Sequence, residues 1–160
     1  MMLYTQQRKA FSMLTAVVVI VTMAVIAAFV TNLSGKTVKI TTDQYRKEQA
    51  ILYARSYTEY AIMAVSARDR TMECIDDINA NIQGGIGTAT NQNTGYRIRL
   101  RLSYIGNATI TNCADTRELS ITVSNPRTPL NIIVDAYVDY RDINNMNRVL
   151  TYHRRSLQKI

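Results

Sequence analysis

The sequence has no tryptophan, one histidine, two cysteines and two prolines in 160 residues. Each scarcity excludes something. With His153 as the only imidazole, metal centres built on several histidines are ruled out, and so are most histidine-based triads. Two cysteines are too few for a disulfide-scaffold miniprotein or a cysteine-only zinc site. Two prolines and six glycines exclude collagen-like and proline-rich linker classes. Charged residues make up 19% against 47% hydrophobic, which excludes a highly charged, disordered chain. The length fits one domain of about 100–150 residues.

Several features stand out against these absences. Ten tyrosines suit surfaces where a ring is buried and a hydroxyl stays wet. The net charge is +7, but it is spread along the chain. Arg8 and Lys9 carry two charges, residues 36–70 hold seven basic and four acidic groups, and residues 71–160 hold ten and eight. Nucleic-acid binding needs a basic stripe, so no nucleic-acid partner is expected.

Between Lys9 and Lys36 no charge occurs. The apolar body from Ala16 to Val30 lies inside this stretch. A helical span needs about 20 mostly apolar residues, so the segment is long enough to cross a membrane. It is longer than the ~7–15-residue apolar region of a secretory signal. The short basic tail before it favours a cytoplasmic N-terminus and an external C-terminus. Gly35 is the only breaker near its end, and helical composition continues to about Arg70. Glu48, Arg55, Glu59, Ser66 and Arg70 form a narrow polar stripe on that continuation. The rest of its surface is apolar, which predicts a sheet packed on one side and something else on the other, the alternative being a deeply buried core helix.

Residues 71–95, with Gln83-Gly84-Gly85-Ile86-Gly87-Thr88, read as a surface loop. No Lys-Ser or Lys-Thr follows the glycines, so they do not form a phosphate loop. From Tyr96 strands begin. Arg97, Arg99 and Arg101 alternate with Ile98, Leu100 and Leu102; Glu118, Ser120 and Thr122 alternate with Leu119, Ile121 and Val123. Asp135 and Asp139 share the polar parity of a third strand whose other face is Ile132, Val134, Ala136 and Val138. A fourth strand is expected near Val149–Arg154. Cross-strand pairing of the arginines with Asp135 and Asp139 is expected on a solvated face. The fold class is therefore α+β: a long N-terminal helix, half membrane-spanning and half amphipathic, packed on a small antiparallel sheet over 96–155.

Catalytic chemistry is not legible. His153 has no evident carboxylate partner, and Asp76-Asp77 lacks the alternating pattern of a calcium loop. No catalytic residue, metal ligand or cofactor is expected, and the chain does not read as an enzyme.

At the N-terminus, Arg8-Lys9-Ala10-Phe11-Ser12-Met13-Leu14-Thr15 runs directly into the apolar stretch. This resembles the cleavage signal of type IV pilins and type II secretion pseudopilins. The resemblance implies a leader over residues 1–10 with basic Arg8 and Lys9. It implies cleavage between Ala10 and Phe11 by prepilin peptidase, and N-methylation of Phe11. Residues 11–35 would be the transmembrane and assembly helix, and residues 36–160 an extracytoplasmic pilin-like domain. The implied location is the bacterial inner membrane, single-pass, with the domain in the periplasm and entry into a periplasmic or surface filament. Implied partners are other pilin or pseudopilin subunits, prepilin peptidase, the inner-membrane assembly platform and the membrane itself.

Where the family usually has glutamate, at the fifth mature position, this chain has Thr15, and Ala10 replaces the usual glycine at the cut. Thr15 favours a minor or tip-like subunit. The alternative is an uncleaved, single-span anchored protein whose outer domain binds a ligand or partner. Cys74 and Cys113 both lie beyond the span, where oxidation is permitted, and are expected to form a disulfide. The alternative for them is two buried free thiols.

Overall fold

With no proline before Pro126, nothing interrupts a long helix, and helix α1 runs from Thr5 to Ala67. The computed structural model describes residues 5–68, 74–88, 90–106, 113, 117–120 and 130–160, with side chains in α1 from Met13 on. The chain divides into two units, Met1–Thr42 and Asp43–Ile160.

In the first unit every described side chain from Met13 to Thr41 is exposed, including Val18, Ile20, Ile26 and Phe29. The hydroxyls there bond back to the helix itself. Thr31 Oγ1 donates to the carbonyl oxygens of Ala27 and Ala28, Ser34 Oγ to Val30 O and Thr37 Oγ1 to Leu33 O. Polar side chains satisfied in this way are tolerated in an apolar surrounding. The helix is long and apolar enough to cross a membrane.

The second unit is one layer of helix on one sheet. Strands β1 (Asp77–Ile82), β2 (Tyr96–Gly106), β3 (Glu118–Ser120), β4 (Leu130–Arg141) and β5 (Val149–Lys159) form a sheet in the order β1-β2-β4-β5, with β3 also beside β2. The pairs β1·β2, β2·β4 and β4·β5 are antiparallel. The α+β class is as expected, and so is the buried face: Ile98, Leu100, Leu102, Ile132, Val134, Ala136 and Val138 are all fully buried. The helix covers them with a stripe of small residues, Ala50, Ala54, Thr58, Ala61 and Val65. Their spacing of three or four keeps them on one face. Glu48, Arg55, Glu59 and Ser66 are exposed, as the polar stripe predicts, while Arg70 lies outside the described residues.

Four expectations need correction. The helix ends at Ala67 rather than near Arg70. The segment 71–95 is not all loop, because Asp77-Ile78-Asn79-Ala80-Asn81-Ile82 is β1. Its period-two alternation is real, but asparagine has low strand propensity, and pairing with β2 overrides that preference. The sheet accordingly spans 77–159, wider than 96–155. The segment at 118 does not join the sheet antiparallel: β3 runs parallel to β2, opposite Tyr104 and Ile105, and Leu119 is exposed. Ile121, Thr122 and Val123 lie outside the described residues.

The loop from β1 to β2 is built on glycine. Gly87 has φ +65°, and a Cβ there would meet Asn91 O; a Cβ on Gly95 would meet the carbonyl oxygen of Ile82. Arg141, itself buried, holds this loop from the end of β4. Its Nε donates to Ile86 O at 2.7 Å, Nη2 to Thr88 O at 3.1 Å and Nη1 to Met146 O at 2.6 Å.

Candidate functional site

Two regions hold the candidate residues. The first is the start of α1. Arg8, Lys9, Ala10 and Phe11 lie in its helical backbone, and their side chains lie outside the described ones. Thr15 is exposed one turn beyond Phe11. From Met13 to Thr31 the polar side chains are all hydroxyls, and this stretch offers an apolar surface to a lipid or to another helix.

The second is the polar face of the sheet, opposite the helix. Register sets Arg97 against Asp139 and Arg101 against Asp135. Arg97 Nη2 and Arg99 Nη2 lie 2.8 and 3.0 Å from Asp139 Oδ2, and Thr151 Oγ1 donates to Asp139 Oδ1 at 2.7 Å. Asp139 is only 1% exposed, while Arg97 and Arg99 are 45% and 35% exposed. The expected pairing therefore holds for two arginines, but the carboxylate beneath them is buried, not solvated. Burial pushes the Asp139 carboxyl up, and hydrogen bonds from Thr151, Arg97 and Arg99 outweigh it, leaving the carboxyl below its ordinary range.

Arg101 does not take Asp135. It pairs instead with Asp77, its neighbour on β1, at 3.3 Å, where Arg117 also binds at 2.7 Å. Asp77 is thus a charge partner of two arginines. Asp135 is taken from β5: Arg155 Nε and Nη2 donate to it at 2.7 and 2.8 Å, and His153 Nε2 lies 2.9 Å from Oδ1. The Arg155 hydrogen bonds hold the Asp135 carboxyl below the usual carboxylate range. His153 therefore has a carboxylate partner, contrary to the sequence reading. A hairpin centred on Asn145 sets residue 135 opposite 155 and diagonal to 153, and that symmetry was the available signal. The imidazole also stacks on Tyr137, with ring centroids 4.4 Å apart. Among the described residues no hydroxyl or thiol is hydrogen-bonded to His153, so the pair has no nucleophile to activate.

Cys74 and Cys113 form the expected disulfide, with Cα atoms 5.1 Å apart. Asp76 lies beside it and completes a cluster of ligand-type atoms with the two sulfurs. Bridged sulfurs are not thiolates, so this donor set does not suit a metal ion. Nearby, Tyr104 donates its hydroxyl to Ile75 O at 2.6 Å, and burial pushes its pKa up to about 12.

The candidate features are thus two: an exposed apolar helix in the first unit and a charge-locked sheet face in the second. Comparison with protein-family models, with curated proteins and with solved structures found no match for this chain.

Proposed function

We propose that this chain is a minor, tip-like subunit of a type IV pilus-like or type II secretion-like assembly. The observation that carries this reading is the helix whose described side chains from Met13 to Thr41 are all exposed, set directly behind Arg8-Lys9-Ala10-Phe11. Such a surface needs lipid before assembly and neighbouring helices after it. The disulfide-tied domain fits an oxidising compartment, which favours the periplasmic side of a bacterial inner membrane. Thr15 brings no carboxylate to the new N-terminal amine, and an unpaired buried charge is costly. Identical copies stacked on one another would meet that cost at every step, whereas a minor subunit meets it once. The role in this reading is structural assembly, without catalysis.

The test is the N-terminal sequence and mass of the protein taken from membranes. The expected result is a chain starting at N-methylated Phe11, with Ala10→Trp left as precursor. An intact Met1, or a cut near Ala28, would instead mean an anchored or secreted protein and would overturn the reading.

A further inference from the structure

Strand β5 ends the sheet, and its Val149–Lys159 sequence contains no proline, glycine or acidic residue. Its register with β4 runs without a shift from Asn131↔Lys159 to Arg141↔Val149. Two flanking bonds set the phase of that ladder. Ile160 N donates to Leu130 O, and Asp142 N donates to Arg148 O, each at 3.0 Å. Bonded and non-bonded pairs alternate in an antiparallel ladder. Even-numbered residues of β5 therefore bond β4. Thr151, His153, Arg155, Leu157 and Lys159 turn their N–H and C=O groups away from it. Among the described residues no backbone group meets that outward row. The side chains of all five are exposed. A long edge without register shifts, unpaired among the described residues, is a template for another strand.

Charge decides what fits. Arg154 and Lys159 have no carboxylate partner among the described residues, and Arg155 remains 66% exposed while it binds Asp135. No acid on β5 offsets them. A second copy pairing β5 against β5 would set cations beside cations, which destabilises a strand pair. The same charges favour the opposite sign. We propose that the free edge of β5 docks an extended, Asp/Glu-rich segment of another protein. That segment adds as the next strand, with carboxylates beside Arg155 and Lys159 on the outer face. This inference does not depend on the assembly reading above.

The test uses the full-length chain in detergent and a labelled peptide as long as β5 that alternates Asp with Val. Control peptides replace Asp by Asn or by Lys. The Asp peptide is expected to bind saturably, the Asn peptide about tenfold more weakly and the Lys peptide not at all. Amide exchange should slow at Thr151, His153, Arg155 and Leu157 with the Asp peptide, less at equal concentration with the Asn peptide, and not with the Lys peptide. Leu157→Pro removes an outward N–H and no bond to β4, so it should abolish binding. Lys159→Glu leaves the backbone intact and should weaken binding about fivefold, which keeps the test valid if the proline variant unfolds. Equal binding of the three peptides, protection elsewhere in the chain, or self-association through β5 would overturn the proposal.

Discussion

Asp139 is nearly sealed from water and stays ionised because Arg97, Arg99 and Thr151 converge on it. A carboxyl held below its ordinary 3.8 in the native state links stability to pH. Above that ordinary value both states are ionised, and its stabilisation is fully present. As pH falls below 3.8 the unfolded chain takes up protons first, and the contribution is lost towards the lower native pKa. Asp135, also lowered, adds to the same acid limb. Asp139→Asn should therefore flatten the loss of stability below about pH 4. At neutral pH it should cost about 1–3 kcal/mol, read by denaturant titration across pH. The larger cost of stripping a buried pair does not apply, because the stranded guanidinium groups can reach water.

The helix–sheet interface depends on smallness. Ala50, Ala54 and Ala61 are fully buried and share one core cluster with the aliphatic face of β2 and β4. Ala54→Leu would force extra volume into that layer, and we expect a loss of about 1–3 kcal/mol in thermal or denaturant unfolding. The same change at exposed Leu52, reversed to Leu52→Ala, should cost under about 1 kcal/mol, since no core partner is lost. Wider and sparser faces elsewhere on the helix made its orientation harder to read. Tyr60 and Met63 are as apolar as the buried stripe, yet they remain exposed.

On the scale of the whole second unit, the Cys74–Cys113 bridge joins the segment between α1 and β1 to the segment between β2 and β3. The two cysteines are 39 residues apart. A closed loop of that size constrains the unfolded chain by about 4 kcal/mol in the chain-entropy account, less any native strain. That is a large share of the roughly 5–15 kcal/mol available to a small domain. Cys74→Ser should lower the unfolding midpoint and the amount of protein recovered from membranes. Mass analysis without reductant should show no alkylatable thiol in the parent chain and one in the variant.

The sequence by itself determined the features that rest on local pattern. An uncharged apolar stretch of that length without proline marks a long helix, and alternation at Tyr96–Leu102 and Ile132–Asp139 marks strands. The two cysteines left one possible bridge within the chain. Tertiary structure decided what depends on which strands meet. Asn-rich β1 becomes a strand because β2 lies beside it, and β3 runs parallel to β2 in an otherwise antiparallel sheet. Asp135 binds β5 instead of Arg101, since β5 brings a bidentate guanidinium and an imidazole to the same carboxylate while Asp77 draws Arg101 the other way. Pattern tells each side chain which face to take, but register and neighbour order select its partner, and those are set by non-local pairing.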